Sequence, residues 1–163
     1  MRTWMRRRPT SLSRTCAVKL RPPSPIGASD YPRIIALWKA AGLSFKPQGR
    51  DSREAFERQL AGGTQTAIGV ETEEGELVGV VLATHDGRKG WINRLAVHPD
   101  YRRQGIARSL ITAAEEVLRA QGIEIFAALI EPGNDASVEL FLSAGYKDWP
   151  GMHYVSKRDR EDI

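Results

Sequence analysis

At 163 residues, 41% hydrophobic and 27% charged, the chain has the length and composition of one soluble globular domain, which excludes wholesale disorder. A single cysteine, Cys16, excludes an internal disulfide; three scattered histidines (His85, His98, His153) lack metal-ligand spacing, so no metal is expected; and no apolar run nears the ~18 residues of a membrane span. The net charge of +4 sits at one end, because residues 1–20 hold six basic side chains and no acid, and 24 less 6 leaves 18 basic against 20 acidic in the remainder.

Residues 1–16 therefore read as a basic arm, expected to be disordered, ahead of a nearly neutral domain over 17–163. A duplex-binding domain carries its cations on the folded face, so a nucleic-acid partner is not expected. Nothing at the start has the apolar stretch of a secretory leader, and a cytoplasmic protein is expected.

Ala17 to Arg21 reads as a short strand, closed by Pro22-Pro23-Ser24-Pro25. A helix follows from about Tyr31, capped by Ser29 or Asp30, with Ile34, Ile35, Leu37, Trp38 and Ala41 at helical spacing and Gly42 as its stop. After a loop, Asp51 or Ser52 caps a second helix over Arg53 to Leu60. Thr66 to Glu71, Glu76 to Thr84 and Trp91 to Val97 are apolar runs separated by acidic and Asp-Gly turns, which predicts a three-stranded antiparallel meander. Past Gln104, Ile106, Ala107, Leu110, Ile111, Ala114, Val117 and Leu118 make one apolar stripe of a long helix. Ile123 to Ile130, nearly all apolar, reads as a strand covered on both faces and parallel to Trp91–Val97, because a helix joins the two. Ala136 to Ala144 is a last helix, stopped by Gly145, and Tyr154 and Val155 are expected on a final strand.

The informative junction is Val97-His98-Pro99-Asp100-Tyr101-Arg102-Arg103-Gln104-Gly105-Ile106-Ala107-Arg108, where a strand ends, a basic turn follows and a helix opens at a glycine. The first amides of a helix have no intrahelical acceptor and lie at the positive end of its dipole, so this is an anion site by construction. Gly105 and Ala107 are small where a phosphate must approach, and Arg102, Arg103 and Arg108 add cationic donors.

The R-x-x-G-x-A run from Arg102 to Ala107, after Leu95-Ala96-Val97-His98-Pro99, resembles the acetyl-coenzyme A loop, Q/R-x-x-G-x-G/A, of the GNAT superfamily of N-acetyltransferases. Asn134, Phe141 seven residues on, and Gly145-Tyr146 resemble the same family's N-x-x-A-x-x-x-Y-x-x-x-G-F, with Ser137 in the alanine place. The resemblance implies an α/β (α+β) fold: a strongly twisted mixed sheet, mostly antiparallel with one parallel pair, and helices on both faces. It implies acetyl-coenzyme A as cosubstrate. Arg102, Arg103, Gln104, Gly105, Ile106, Ala107 and Arg108 would hold its diphosphate. The strand edge at Leu95, Ala96 and Val97 would pair with the pantetheine arm as an added strand does, and one N–H there would polarise the acetyl carbonyl. Asn134 and Phe141 would complete the cofactor contacts.

Two positions depart from the family pattern. Phe141 stands where members often carry a tyrosine that protonates the leaving thiolate, and Trp91 where many carry a glutamate base. A positioned proton-transfer group is worth about 10²–10⁴ in rate, so substitutes matter. Glu131 is the candidate base, acting through water, and Tyr146 the candidate acid. Trp38, Asn93 and Tyr154 are the acceptor-side candidates, with His98 and His153 weighed beside them, and the loop Gly42 to Arg50 and the segment Lys147 to Tyr154 are expected to line the acceptor entrance. The expected function is acetyl transfer to a primary amine of a small molecule, peptide or protein, by a monomer or homodimer with no membrane partner. The alternative is an acyl-coenzyme A-binding sensor or scaffold without turnover.

Overall fold

Five strands, β1 (Ser24–Ile26), β2 (Gln65–Glu71), β3 (Leu77–His85), β4 (Gly90–Val97) and β5 (Phe126–Ala127), form one sheet in chain order in a computed structural model that describes residues 18–160. The first three pairings are antiparallel and β4 to β5 is parallel. The basic arm over 1–16 lies outside the described residues. One sheet face packs on α1 (Tyr31–Ala41) and α2 (Arg53–Ala61), through Ile34, Leu37, Trp38 and Phe56 against Ala67, Val80, Leu82 and Ala96. The other packs on α3 (Ile106–Ala120) and α4 (Asp135–Ser143), through Leu110, Ile111, Ala114, Leu118 and Phe141 against Ile68, Val81, Ala83 and Ile92. The expected mixed sheet with helices on both faces is the fold observed.

Local signals account for most boundaries. Ser52 accepts the Ala55 N–H and caps α2, and Gly42, in the left-handed region at φ 74°, ends α1. Asp30 does not cap α1; its carboxylate accepts the Gly27 N–H and closes a 3₁₀ turn over Ala28–Asp30.

Three expectations are corrected. Leu20 makes only a single bridge to Thr72, and the first strand instead runs through Ser24-Pro25-Ile26, in the stretch read as its terminator. β1 is an edge strand, where proline's missing N–H costs no ladder bond. The strand expected over Ile123 to Ile130 pairs only at Phe126 and Ala127, and it is not covered on both faces, since Ile125 and Leu129 are exposed. No strand forms at Tyr154 and Val155, which stand in solvent.

The short parallel pairing has a cause in β4. Opposite β3, Asn93 faces Leu82 and Ala96 faces Val80, so two residues, Arg94 and Leu95, oppose Val81 alone. Arg94 takes φ 53°. Such a bulge bends its strand and sharpens the local twist. The ladder between β4 and β5 ends at Trp91–Ala127, and the two strands part beyond it.

Candidate active site: an uncapped helix beside a freed strand edge

α3 is amphipathic along its whole length and opens without a cap. Its N-cap position is Gly105, at φ 80°, and no side chain bonds the first turn, unlike α2 with Ser52 and α4 with Asn134. The first intrahelical bond is Ser109 N–H to the Gly105 carbonyl. Among the described residues no acceptor meets the N–H groups of Gly105, Ile106, Ala107 and Arg108. A side chain at Gly105 would project into open space, since no atom lies within 4 Å of where its Cβ would be. A helix terminus with four free amides, a small residue and clear approach is what a diphosphate requires.

Of the three arginines expected to supply charge, two are engaged within the fold. Arg102 reaches back to the carbonyls of Val97 (3.4 Å) and Ala41 (3.3 Å), tying the loop to the end of α1. Arg108 donates to the carbonyl and hydroxyl of Ser143 (2.9 and 2.7 Å), joining α3 to α4. Arg103, at φ 64°, is exposed and pairs with no described residue, so its guanidinium is the one left to face an anion. Gln104 is exposed beside it. His98 is a turn residue: its Nδ1 accepts the Asp100 N–H and its ring meets Tyr101 edge-on.

Directly beside this terminus runs the part of β4 that β5 does not cover. Every second backbone group of a strand points away from its partner, so the stretch from Ile92 to Val97, which holds Leu95, Ala96 and Val97, has groups facing away from β3 that β5 does not pair, the Val97 carbonyl among them being taken by Arg102. The side chains of Leu95 and Val97 pack towards α3 and that of Ala96 towards α1, which leaves the backbone as the reachable part. The residues present fit coenzyme A: amides and Arg103 for the diphosphate, a free strand edge for an extended amide-bearing arm.

On the α1 face the sheet is half-buried at its β4 end. Trp91 and Asn93 lie there beside Thr84, whose hydroxyl accepts from Asn93 Nδ2 at 2.8 Å, and the Lys89 ammonium sits 5.4 Å over the Trp91 ring. Glu131 is exposed in the loop after β5. Asn134 accepts the Ser137 N–H with Oδ1 and so caps α4, which leaves its Nδ2 as a donor.

Other expected site residues fall elsewhere. Trp38 is 1% exposed and lies beneath the Arg94 guanidinium, so it is core and offers no face to an acceptor. Tyr154 is 72% exposed on a segment without regular structure, not on a cleft-lining strand; His153, next to it, is likewise exposed. Phe141 is 6% exposed and packs edge-on against Tyr146 at 5.0 Å. The Tyr146 hydroxyl donates to Glu115 at 2.9 Å, and Glu115 also pairs with Arg119 at 2.7 Å. Its proton is turned into the α3–α4 seam, away from the β4 edge, which opposes the role of acid.

Burial, with the Glu115 hydrogen bond second, holds the Tyr146 hydroxyl protonated well above its usual range. An unfolded tyrosine ionises near pH 10, so this contribution to stability is complete below about pH 10 and is lost as pH climbs from there toward the folded value. Tyr146→Phe is expected to cost about 1–2 kcal/mol at neutral pH and to flatten the loss of stability above about pH 10. Urea unfolding at neutral and alkaline pH measures both; an unchanged alkaline slope would contradict it.

The residue overlooked at the sequence level is Arg94. A charge inside the apolar run Ile92 to Val97 was its signal, since a buried guanidinium demands a partner. Among the described residues no group of His, Cys, Asp or Glu is arranged to hold a metal, and no helix is long and apolar enough to cross a membrane.

Comparison with known proteins agrees with this geometry. The acetyltransferase (GNAT) family model matches residues 33–146. An acetyltransferase of Sodalis glossinidius is 32% identical over 133 residues, covering 82% of this chain and 92% of that protein, and one of Photorhabdus laumondii is 32% identical over 119 residues, covering 73% and 81%. Among solved structures, an aminoglycoside 6'-N-acetyltransferase from Acinetobacter baumannii superposes with a TM-score of 0.70 at 17% identity over 85% of this chain and 98% of that one. A PaiA N-acetyltransferase from Thermoplasma acidophilum in complex with coenzyme A gives 0.68 at 15% identity over 79% and 90%. The structural likenesses are likenesses of fold, while the sequence matches carry the assignment: the chain belongs to the acetyltransferase (GNAT) family and is an acetyl-coenzyme A-dependent N-acetyltransferase.

Proposed function

We propose that the protein moves an acetyl group from acetyl-coenzyme A to a primary amine, the neutral amine attacking the thioester directly and coenzyme A leaving as thiolate. The observation that carries this reading is the uncapped α3 terminus opening onto the strand edge that the Arg94–Leu95 bulge frees. In this reading the amides of Gly105 to Arg108 and the Arg103 guanidinium bind the diphosphate, and Asn134 Nδ2 donates to the pantetheine arm. A β4 N–H beside the bulge holds the acetyl oxygen, and being fixed in the sheet it needs no reorganisation as charge develops there. The acceptor enters over Trp91 and Asn93, between the 43–52 loop and Glu131, and Glu131 takes the amine proton through water. A thiolate leaves readily, so Phe141 in place of a hydroxyl donor is tolerable. The acceptor is a small-molecule, peptide or protein amine. The domain over 17–163 and the basic arm before it remain the organisation we propose.

A second reading, an acyl-coenzyme A sensor without turnover, has an observation in its favour: Phe141 cannot donate, Trp91 cannot act as base, and Tyr146 is committed to Glu115. The two separate in one experiment. Acetyl-coenzyme A at about 1,000 times its Kd should stabilise the protein by ~4 kcal/mol, raising Tm by about 10 °C. Under the first reading, free thiol also appears when sisomicin, spermidine or a lysine-containing peptide is added. Stabilisation with no thiol release from any of the three supports the sensor, and no stabilisation at all defeats both.

A further inference from the structure

Arg94 combines two expensive features at one place. It is one of two residues other than glycine with positive φ among the described residues, and its side chain is a largely buried charge. Strained backbone and buried ions are poor ways to stabilise a fold, and where they persist the surroundings hold them for a purpose. The guanidinium lies 5.3 Å over the buried Trp38 ring. Its Nη2 meets both Asp51 oxygens, at 2.9 and 2.7 Å, and its Nη1 donates to the Ser44 carbonyl. Asp51, 9% exposed at its side chain, also accepts the Lys46 N–H at 2.7 Å, and its carbonyl accepts the Tyr31 hydroxyl at 2.7 Å. The segment 43–52 has neither helix nor strand, so these bonds, which centre on one carboxylate and one guanidinium, organise it.

The other end of the connection is the β4 bulge, next to the free strand edge. Burial disfavours the Arg94 charge, the Asp51 carboxylate and, more weakly, that of Glu131 favour it, and Arg50 opposes it. The guanidinium thus ties the strand that carries the bulge to this segment, through Asp51 and the Ser44 carbonyl.

We propose that the Arg94–Asp51 ion pair latches segment 43–52 to the β4 bulge and so positions the acceptor amine against the thioester, an inference that rests on the acceptor entry described above. Arg94 is a positioning residue: it shapes the wall and touches neither cosubstrate. Loss of a merely structural ion pair would lower overall stability and affect both cosubstrates alike; loss of the latch affects one.

The test uses the full chain with Arg94→Gln, Asp51→Asn and Arg94→Lys. By hydrogen exchange, amides of 43–52 should exchange at least about tenfold faster in the first two variants and to an intermediate degree in Arg94→Lys, which keeps the charge but not the fork, while α3 is unchanged. The Tm rise given by acetyl-coenzyme A should stay as in the wild type. With whichever of sisomicin, spermidine or the lysine peptide the wild type acetylates, KM for the amine should rise about tenfold and KM for acetyl-coenzyme A should hold within about twofold. Unchanged exchange in 43–52 overturns the latch, and so does a loss shared equally by both cosubstrates. If the wild type binds acetyl-coenzyme A but acetylates none of the three amines, the catalytic reading fails instead, and the exchange data still decide whether Arg94 holds the segment. If Arg94→Gln does not fold, Asp51→Asn, nearly the same shape, carries the measurement.

Discussion

Gly105→Glu is expected to reduce affinity for acetyl-coenzyme A by at least about 100-fold, ~2.7 kcal/mol, with the fold retained. Gly105 holds φ 80°, where an L-residue costs roughly 1–2 kcal/mol, a fraction of a domain's usual 5–15 kcal/mol. Its Cβ would meet no atom within 4 Å, so the new side chain has room in the protein and fills the space a ligand needs. The carboxylate would then lie at the free amides of Ile106, Ala107 and Arg108, satisfying them as a helix cap does and repelling a diphosphate. Gly105→Ala separates the contributions, because it carries the backbone strain without the charge, and about tenfold weaker binding is expected. Titration of both variants by calorimetry measures the ratio. Glutamate and alanine variants of equal affinity would mean that no anion sits at this turn.

Much of this architecture is legible in the residues, and the failures share a cause. α3 shows itself because its apolar stripe runs for four turns and ends at Gln121-Gly122, where local and tertiary preferences agree. The meander from β2 to β4 shows itself because each of its strands alternates or runs apolar between turn residues. What is missed depends on partners distant in sequence. Pro25 is compatible with a strand only at a sheet edge, and no local pattern says that β1 is an edge. Ile123 to Ile130 is apolar enough for a full strand, yet a bulge thirty residues earlier decides that only two residues pair. The same holds for the site. The α3 terminus is visible because its parts are contiguous. Arg94 is not, because its partners Asp51 and Ser44 lie some forty to fifty residues away and its meaning depends on them. Trp38 reads as a core or a cleft-wall aromatic alike, and its burial beneath the guanidinium decides for the core. Cofactor loops built from one strand–turn–helix unit are sequence features; acceptor clefts assembled from several loops are not.

The anion site also depends on a residue that never approaches the cofactor. A Cβ at Gly79 on β3 would lie 2.6 Å from Ile106 Cγ2 and 3.0 Å from Leu110 Cδ1, so the absence of a side chain there is what lets the first turns of α3 seat on the sheet. Ile106 is the first residue of that helix, and its amide is one of the four free donors. Gly79→Val is therefore expected to destabilise the protein by about 3 kcal/mol, at the upper end of overpacking costs, because the side chains it would meet, Ile106 and Leu110, are both buried. It should also weaken acetyl-coenzyme A binding about tenfold or more, since a shift of the helix start misaims all its amides together. Stability and affinity respond here through one displacement, which a double variant can expose. Gly79→Ala should show both effects in milder form, and adding Ile106→Ala should restore affinity in part, although Ile106→Ala alone removes core packing and lowers stability. Affinities that simply add across the pair would show that α3 tolerates the extra carbon without moving, and the seat at Gly79 would then have no hold on the diphosphate site.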